Sequence, residues 1–118
     1  MKCNIEFYET NNGTSPVTDF IDTLSAKEKA KIGRYFDLLQ EYGTFLREPY
    51  VKPIQGYRKL LELRIPISPR ICRIFYFHCQ EDTLVMLHAF WKKTSQTPRK
   101  ELELANKRMK DYQERFCR

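Results

Sequence analysis

No stretch of this 118-residue sequence approaches the roughly 18 consecutive apolar residues that a membrane-spanning helix requires. The opening residues, Met1-Lys2-Cys3-Asn4-Ile5-Glu6, lack an apolar signal core, so a cytoplasmic location without a membrane partner is expected. There are only two histidines, and the four cysteines at 3, 72, 79 and 117 contain no CxxC pair. Neither residue type falls at ligand spacing, which argues against a zinc site, and no metal or cofactor is expected. With no regular framework, the cysteines are expected to be reduced and to behave as small hydrophobes. Internal repeats, low-complexity tracts and linkers are lacking too, so the length reads as one domain, residues 1–118. What the chain does have is apolar bulk. Hydrophobic residues make up 42% of it, including eight Phe and seven Tyr, enough for a core and against global disorder.

The formal charge of +6 is unevenly spread. Residues 1–46 carry five cations and seven anions, residues 47–73 seven and two, and residues 92–118 nine and four. Residues 74–91 carry no cation and two anions. Segregation of this kind favours a phosphate-rich or acidic partner over an even basic surface.

Residues 3–9 alternate apolar and polar and read as a first strand. Ser15-Pro16 is an N-cap followed by proline at the first helical position, and Val17, Phe20, Ile21 and Leu24 follow at helical spacing. Ser25-Ala26-Lys27-Glu28 fits a capping box, Ile32, Tyr35, Phe36, Leu39 and Tyr42 form an apolar stripe, and Gly43 is a stop signal. Two helices with almost no loop between them make a helical hairpin. Residues 47–59, with Pro49, Pro53 and Gly56, read as loop. Leu60–Ile67 alternates, placing Leu61, Leu63, Ile65 and Ile67 on one face and Glu62 and Arg64 on the other; Pro66 argues for an end or a bulge there. Ile71–His78 and Thr83–Trp91 complete a meander, with Val85, Leu87 and Ala89 opposite Met86, His88 and Phe90. Thr97-Pro98 repeats the cap signal before an amphipathic helix bearing Leu102, Ala105, Met109, Tyr112 and Phe116. Segregated helices and antiparallel strands make the fold class α+β.

The stretch Leu84 to Thr94 is an apolar strand that carries His88 and runs into Lys92-Lys93, while the strand before it holds Arg73 among large apolar residues. Charges on strands that pack a core are costly, so their grouping points to a sheet face that meets a polyanion. Leu60-Leu61-Glu62-Leu63-Arg64, Arg73-Ile74-Phe75-Tyr76, Leu87-His88-Ala89-Phe90 and Lys92-Lys93-Thr94-Ser95-Gln96-Thr97-Pro98, continuing into Glu101, Ala105 and Arg108, occur in that order. This ordered set resembles the RelE/ParE toxin superfamily of type II toxin–antitoxin systems, and within it the HigB or phage Gp49-like branch. The resemblance implies a RelE-like fold: an N-terminal strand and helical hairpin on an antiparallel meander, here with an added C-terminal helix. It implies a toxin that cleaves mRNA on the ribosome and is neutralised by a helix-turn-helix, HigA-like antitoxin. ParE-like relatives share the fold and poison DNA gyrase, and a non-catalytic nucleic-acid-binding module is a third reading, so the site must decide.

Metal-free RNA cleavage uses the ribose 2′-OH as nucleophile, and a base, cationic donors and sometimes an acid are sufficient for it. Arg64 and Arg73 are the candidate phosphate clamps, arginine's planar fork binding two oxygens at once. The alternatives are an exposed partner of Glu62 for Arg64 and a structural pairing with a buried acid for Arg73. His88 is a candidate for proton transfer, or else a satisfied core histidine. Lys92 and Lys93 are candidate phosphate ligands or a basic strand end; on strict alternation Lys92 shares the His88 face. Lys52, Tyr57, Arg58 and Lys59, basic residues around an aromatic, are candidates to grip RNA, and Arg70 is a candidate RNA or antitoxin contact. Lys107, Arg108 and Lys110 are either ribosomal-RNA contacts or a solvated helix face, and Trp91, Tyr112 and Phe116 are expected to pack the core.

Overall fold

The computed structural model describes residues 2–80, 82–92 and 97–117. In chain order they form β1 (Asn4–Phe7), α1 (Pro16–Asp22), α2 (Ala26–Tyr42), a 3-10 turn (Gly43–Phe45), β2 (Val51–Pro53), β3 (Leu60–Ile67), β4 (Arg70–Gln80), β5 (Thr83–Lys92) and α3 (Arg99–Phe116). The five strands make one sheet in the order β1-β5-β4-β3-β2, with β1 parallel to β5 and every other pair antiparallel. The α+β class and the meander of β3, β4 and β5 agree with the sequence, and no helix among the described residues is long and apolar enough to cross a membrane.

Helices cover both faces of the sheet. On one, α1 and α2 bury Val17, Ile32 and Leu39 against Leu63, Ile65, Cys72, Ile74, Leu84 and Met86. Fully burying an aliphatic side chain contributes about 1.5–3 kcal/mol, so this layer is the larger source of stability. On the other face α3 lays Ala105, Met109 and Tyr112 on Leu60, Phe75, Phe77, Val85 and Leu87. Nearly continuous burial along β4 follows from being covered on both sides, and it explains why that strand shows no polar alternation.

The end signals of α2 form as the sequence implies. Ser25 and Glu28 make a reciprocal capping box, Glu28 N–H donating to Ser25 Oγ (3.2 Å) and Ser25 N–H to Glu28 Oε1 (2.9 Å). Gly43 closes the helix at φ +52°, and a Cβ there would lie 2.8 Å from Cys3 Sγ, so the position demands glycine twice over. Other expectations need correction. Residues 51–53 are a strand, not loop: Pro53 is tolerated because β2 is the sheet edge, where a missing N–H costs no ladder bond. For the same reason β3 runs through Pro66 to Ile67, since β2 reaches only as far as Leu63. The cap of α3 is Pro98, one residue later than the Thr97-Pro98 signal suggests. Cys79 and Cys117 are joined in a disulfide, so only Cys3 and Cys72 are buried free thiols. The end of β4 meets the end of α3 in space, an apposition that cysteines 38 residues apart do not announce.

Candidate active site

The site begins with an irregularity in β5. Phe77 pairs with Val85 and Tyr76 with Met86, but Phe75 pairs with His88, so Leu87 is an extra residue, a β-bulge. The face assignment expected from unbroken alternation is therefore wrong. Val85 and Leu87 face α3, and after the bulge His88 and Phe90 do so as well, while Met86 and Ala89 face α1 and α2. Lys92, opposite Ile71, shares the His88 face, but only relative to the residues after the bulge. Lys93 lies outside the described residues.

On that face the register sets Lys52 opposite Glu62, and Arg64 opposite Arg73, which in turn faces Phe90. Four cations, Lys52, Arg64, Arg73 and Lys92, thus gather around one carboxylate. Glu62 is 1% exposed and Arg73 3%. The Arg73 guanidinium donates through Nη1 to Glu62 Oε2, its Nε has no partner, and Arg64 Nε lies 4.0 Å from Glu62 Oε1. Pairing of Arg73 with a buried acid is the arrangement observed. Glu62 is the residue sequence reasoning missed. It stands on the face that looked polar in β3; its register neighbours Lys52 and Phe75, and the Arg73 guanidinium bonded to it, turn that spot into an interior.

The exposed members are Lys52 and, in part, Arg64 and Lys92. Burial pushes the Lys92 ammonium below the ordinary lysine value; Arg73, Arg64 and Lys52 push the same way, and Glu62 opposes them. An anion entering this corner meets three accessible cations, Lys52, Arg64 and Lys92, while Glu62 balances the charge of buried Arg73 behind them.

His88 occupies the adjoining row. Its Nε2 lies 3.2 Å from Glu101 Oε1 and its Nδ1 3.3 Å from Arg108 Nη1, and the ring stacks on Phe90 at 5.4 Å and 18°. Burial holds the imidazole below its ordinary value; Arg108 adds to this and Glu101 opposes it. Both nitrogens are engaged in this arrangement, so the ring offers no free lone pair for a substrate proton.

The remaining candidates are dispersed. Tyr57, Arg58 and Lys59 lie in the β2–β3 connection and line a shallow groove with Asn106 and Lys110 of α3. Tyr57 packs against the α3 core and bonds Arg99, which leaves less of its ring for stacking. Arg70 is turned to the opposite layer, its Nη2 3.0 Å from Glu28 Oε2 and its guanidinium 3.7 Å above the Trp91 ring. The structure therefore does not bring Arg70 to the cation cluster; it ties the β3–β4 turn to α2. Arg108 is a structural contact of β5 and not an outward-facing residue of α3. Among the described residues no group of three or more His, Cys, Asp or Glu is placed to hold a metal ion.

An arrangement of accessible cations around a buried ion pair, with a partly desolvated amine at its edge, can bind a phosphodiester and move a proton. Residues 19–110 match the family described as "Phage derived protein Gp49-like (DUF891)". No curated protein matches the chain.

Proposed function

Because the chain belongs to the Gp49-like phage-derived protein family, a RelE/HigB-like toxin family associated with toxin–antitoxin systems, we propose that it is a metal-independent endoribonuclease that cleaves mRNA on the ribosome. An antitoxin is the partner that such a family implies; here it is proposed to be a helix-turn-helix protein of the HigA kind. The observation that carries the reading is the gathering of Lys52, Arg64, Arg73 and Lys92 on one sheet face around Glu62.

In this reading Arg64 and Lys52 donate to the non-bridging oxygens of the scissile phosphate, where negative charge builds as the 2′-oxygen attacks phosphorus. Arg73, fixed by Glu62, forms the buried floor beneath them, its Nε left without a partner. Lys92 handles protons: its depressed pKa raises the fraction of neutral amine, which takes the 2′-OH proton. The 2′-oxygen–phosphorus bond forms as the bond to the 5′-oxygen breaks; the 5′-oxygen takes up a proton from solvent, and the Lys92 ammonium returns its proton to solvent. The products are a 2′,3′-cyclic phosphate and a 5′-hydroxyl, with no water consumed in that step. Lys93, with two exposed residues of the β2–β3 connection, Arg58 and Lys59, is proposed to extend the track for the RNA backbone.

A ParE-like gyrase inhibitor would need no proton-transfer group, and the depressed Lys92 ammonium favours the nuclease. The test is a translation extract programmed with a defined mRNA, in which new 5′ ends are mapped beside plasmid supercoiling. Cuts phased with the reading frame that vanish in Arg64→Ala and Lys92→Met support the proposal. Intact mRNA with gyrase-dependent DNA breaks refutes it.

A further inference from the structure

The bulge at Leu87 does more than accommodate a residue. Had the register from Phe77–Val85 continued unbroken, Arg73 would oppose Ala89 and Arg70 would oppose Lys92. Lys92 would then face α1 and α2, on the far side of the sheet from Arg64 and Arg73. The single inserted residue is what places the lysine on the arginine face, where the register sets it opposite Ile71.

Two residues of α3 hold that insertion. Arg108 Nη1 donates to the Leu87 carbonyl at 2.9 Å, so the bulged residue's carbonyl has a charged donor. The same nitrogen lies 3.3 Å from His88 Nδ1. A guanidinium has donors only, so Nδ1 must accept, and the ring proton resides on Nε2, which donates to Glu101 Oε1 at 3.2 Å. Glu101 and Arg108 are seven residues apart, two turns of one helix face, and they grip the imidazole from both ends. Phe75 and Phe90 pack on the ring. We propose that Arg108, His88 and Glu101 are positioning residues: a lock on the β5 bulge that sets Lys92 against Arg64 and Arg73.

The proposal deepens the nuclease reading and rests on it for its kinetic consequence, though not for its structural one. None of the three needs to touch RNA. It gives α3 a part in the site that exposure of its basic residues does not suggest, and it assigns His88 a fixed tautomer in place of proton transfer.

The experiment measures two things in wild type and in Arg108→Ala, Arg108→Lys, Glu101→Ala and Glu101→Gln. The first is the Lys92 titration, followed by NMR of lysine-labelled protein with the signal assigned through Lys92→Arg. The second is kcat and KM on ribosome-bound mRNA. In R108A and E101A the Lys92 titration should move up towards that of an ordinary lysine, and kcat should fall about 100-fold with KM changed less than about threefold, the size of effect that small misplacements of a reacting group produce. E101Q, whose amide oxygen still accepts from Nε2, and R108K, whose ammonium can still reach the Leu87 carbonyl, should recover part of both. If R108A does not fold, E101A and E101Q carry the test. An unmoved Lys92 titration in folded R108A or E101A overturns the lock, whatever happens to kcat. A titration that moves as expected in a protein that cuts no mRNA leaves the lock standing and removes the nuclease.

Discussion

Replacing Glu62 is the most severe test of the site's electrostatics. Glu62 and Arg73 are both almost wholly buried and bonded to each other. Removing one partner of such a pair leaves an uncompensated charge inside the protein and costs about 3–5 kcal/mol, whereas replacing both by apolar residues is neutral or stabilising by about 1–4 kcal/mol. For a chain of this length the unfolding entropy is about 0.25 kcal/mol per kelvin, so Glu62→Gln should lower Tm by about 12–20 °C. The two single variants are not equivalent. An arginine cannot shed its proton, while a carboxylic acid can take one up. Arg73→Met should therefore regain stability as the pH is lowered towards 5, and Glu62→Gln should not. Urea unfolding of wild type, both singles and the Glu62→Leu/Arg73→Met double, followed by Trp91 fluorescence, completes the cycle. A cost below about 1 kcal/mol for Glu62→Gln, or single effects that simply add in the double variant, would refute the view that the carboxylate anchors the arginine. The double variant should fold and yet fail to cleave RNA, which separates stability from function.

Reducing the Cys79–Cys117 bridge, or replacing both by Ser, should cost about 4 kcal/mol, the loop-closure value for a 38-residue separation, visible as a lower urea midpoint with dithiothreitol than without. His88 is held below its ordinary value of 6.5, so the unfolded chain binds its proton first; stability should be complete above that pH and decline as pH falls through it to the folded value, and His88→Gln should flatten this limb. RNA affinity should fall with salt, with a log–log slope near 0.7 per neutralised phosphate, and Lys52→Ala or Arg64→Ala should each shallow the slope by about that amount. A slope unchanged in both variants would mean that the phosphates lie elsewhere.

The parts of the fold that could be read in the sequence were those with a local physical signature. Ser25 and Glu28 announce α2, Gly43 ends it, and the alternation of Leu61, Leu63, Ile65 and Ile67 marks β3 and its buried face. The parts that escaped depend on neighbours. β2 is three residues with a proline, stable only because β3 supplies its partners. The bulge at Leu87 carries no glycine or other marker; the alternation of Val85 to Trp91 looks regular until β4 sets the register. Of the site, Arg64, Arg73 and Lys92 could be picked out as cations on strands, and the structure does gather them. Glu62 could not, because a carboxylate beside an arginine in an alternating strand looks solvated until the neighbouring strands close around it.

The bond between Cys79 and Cys117 has a consequence of another kind. It closes β5 and α3, and with them His88, Lys92, Glu101 and Arg108, into a covalent ring. One cleavage of the backbone anywhere inside that ring opens it without releasing a piece: both new ends stay attached to the rest of the chain. Under oxidising conditions a single protease nick between the two cysteines should leave the mass of the protein changed only by one added water, with separate fragments emerging on reduction. The stretch that bears Lys92 is thus the one that can be cut once and still be kept.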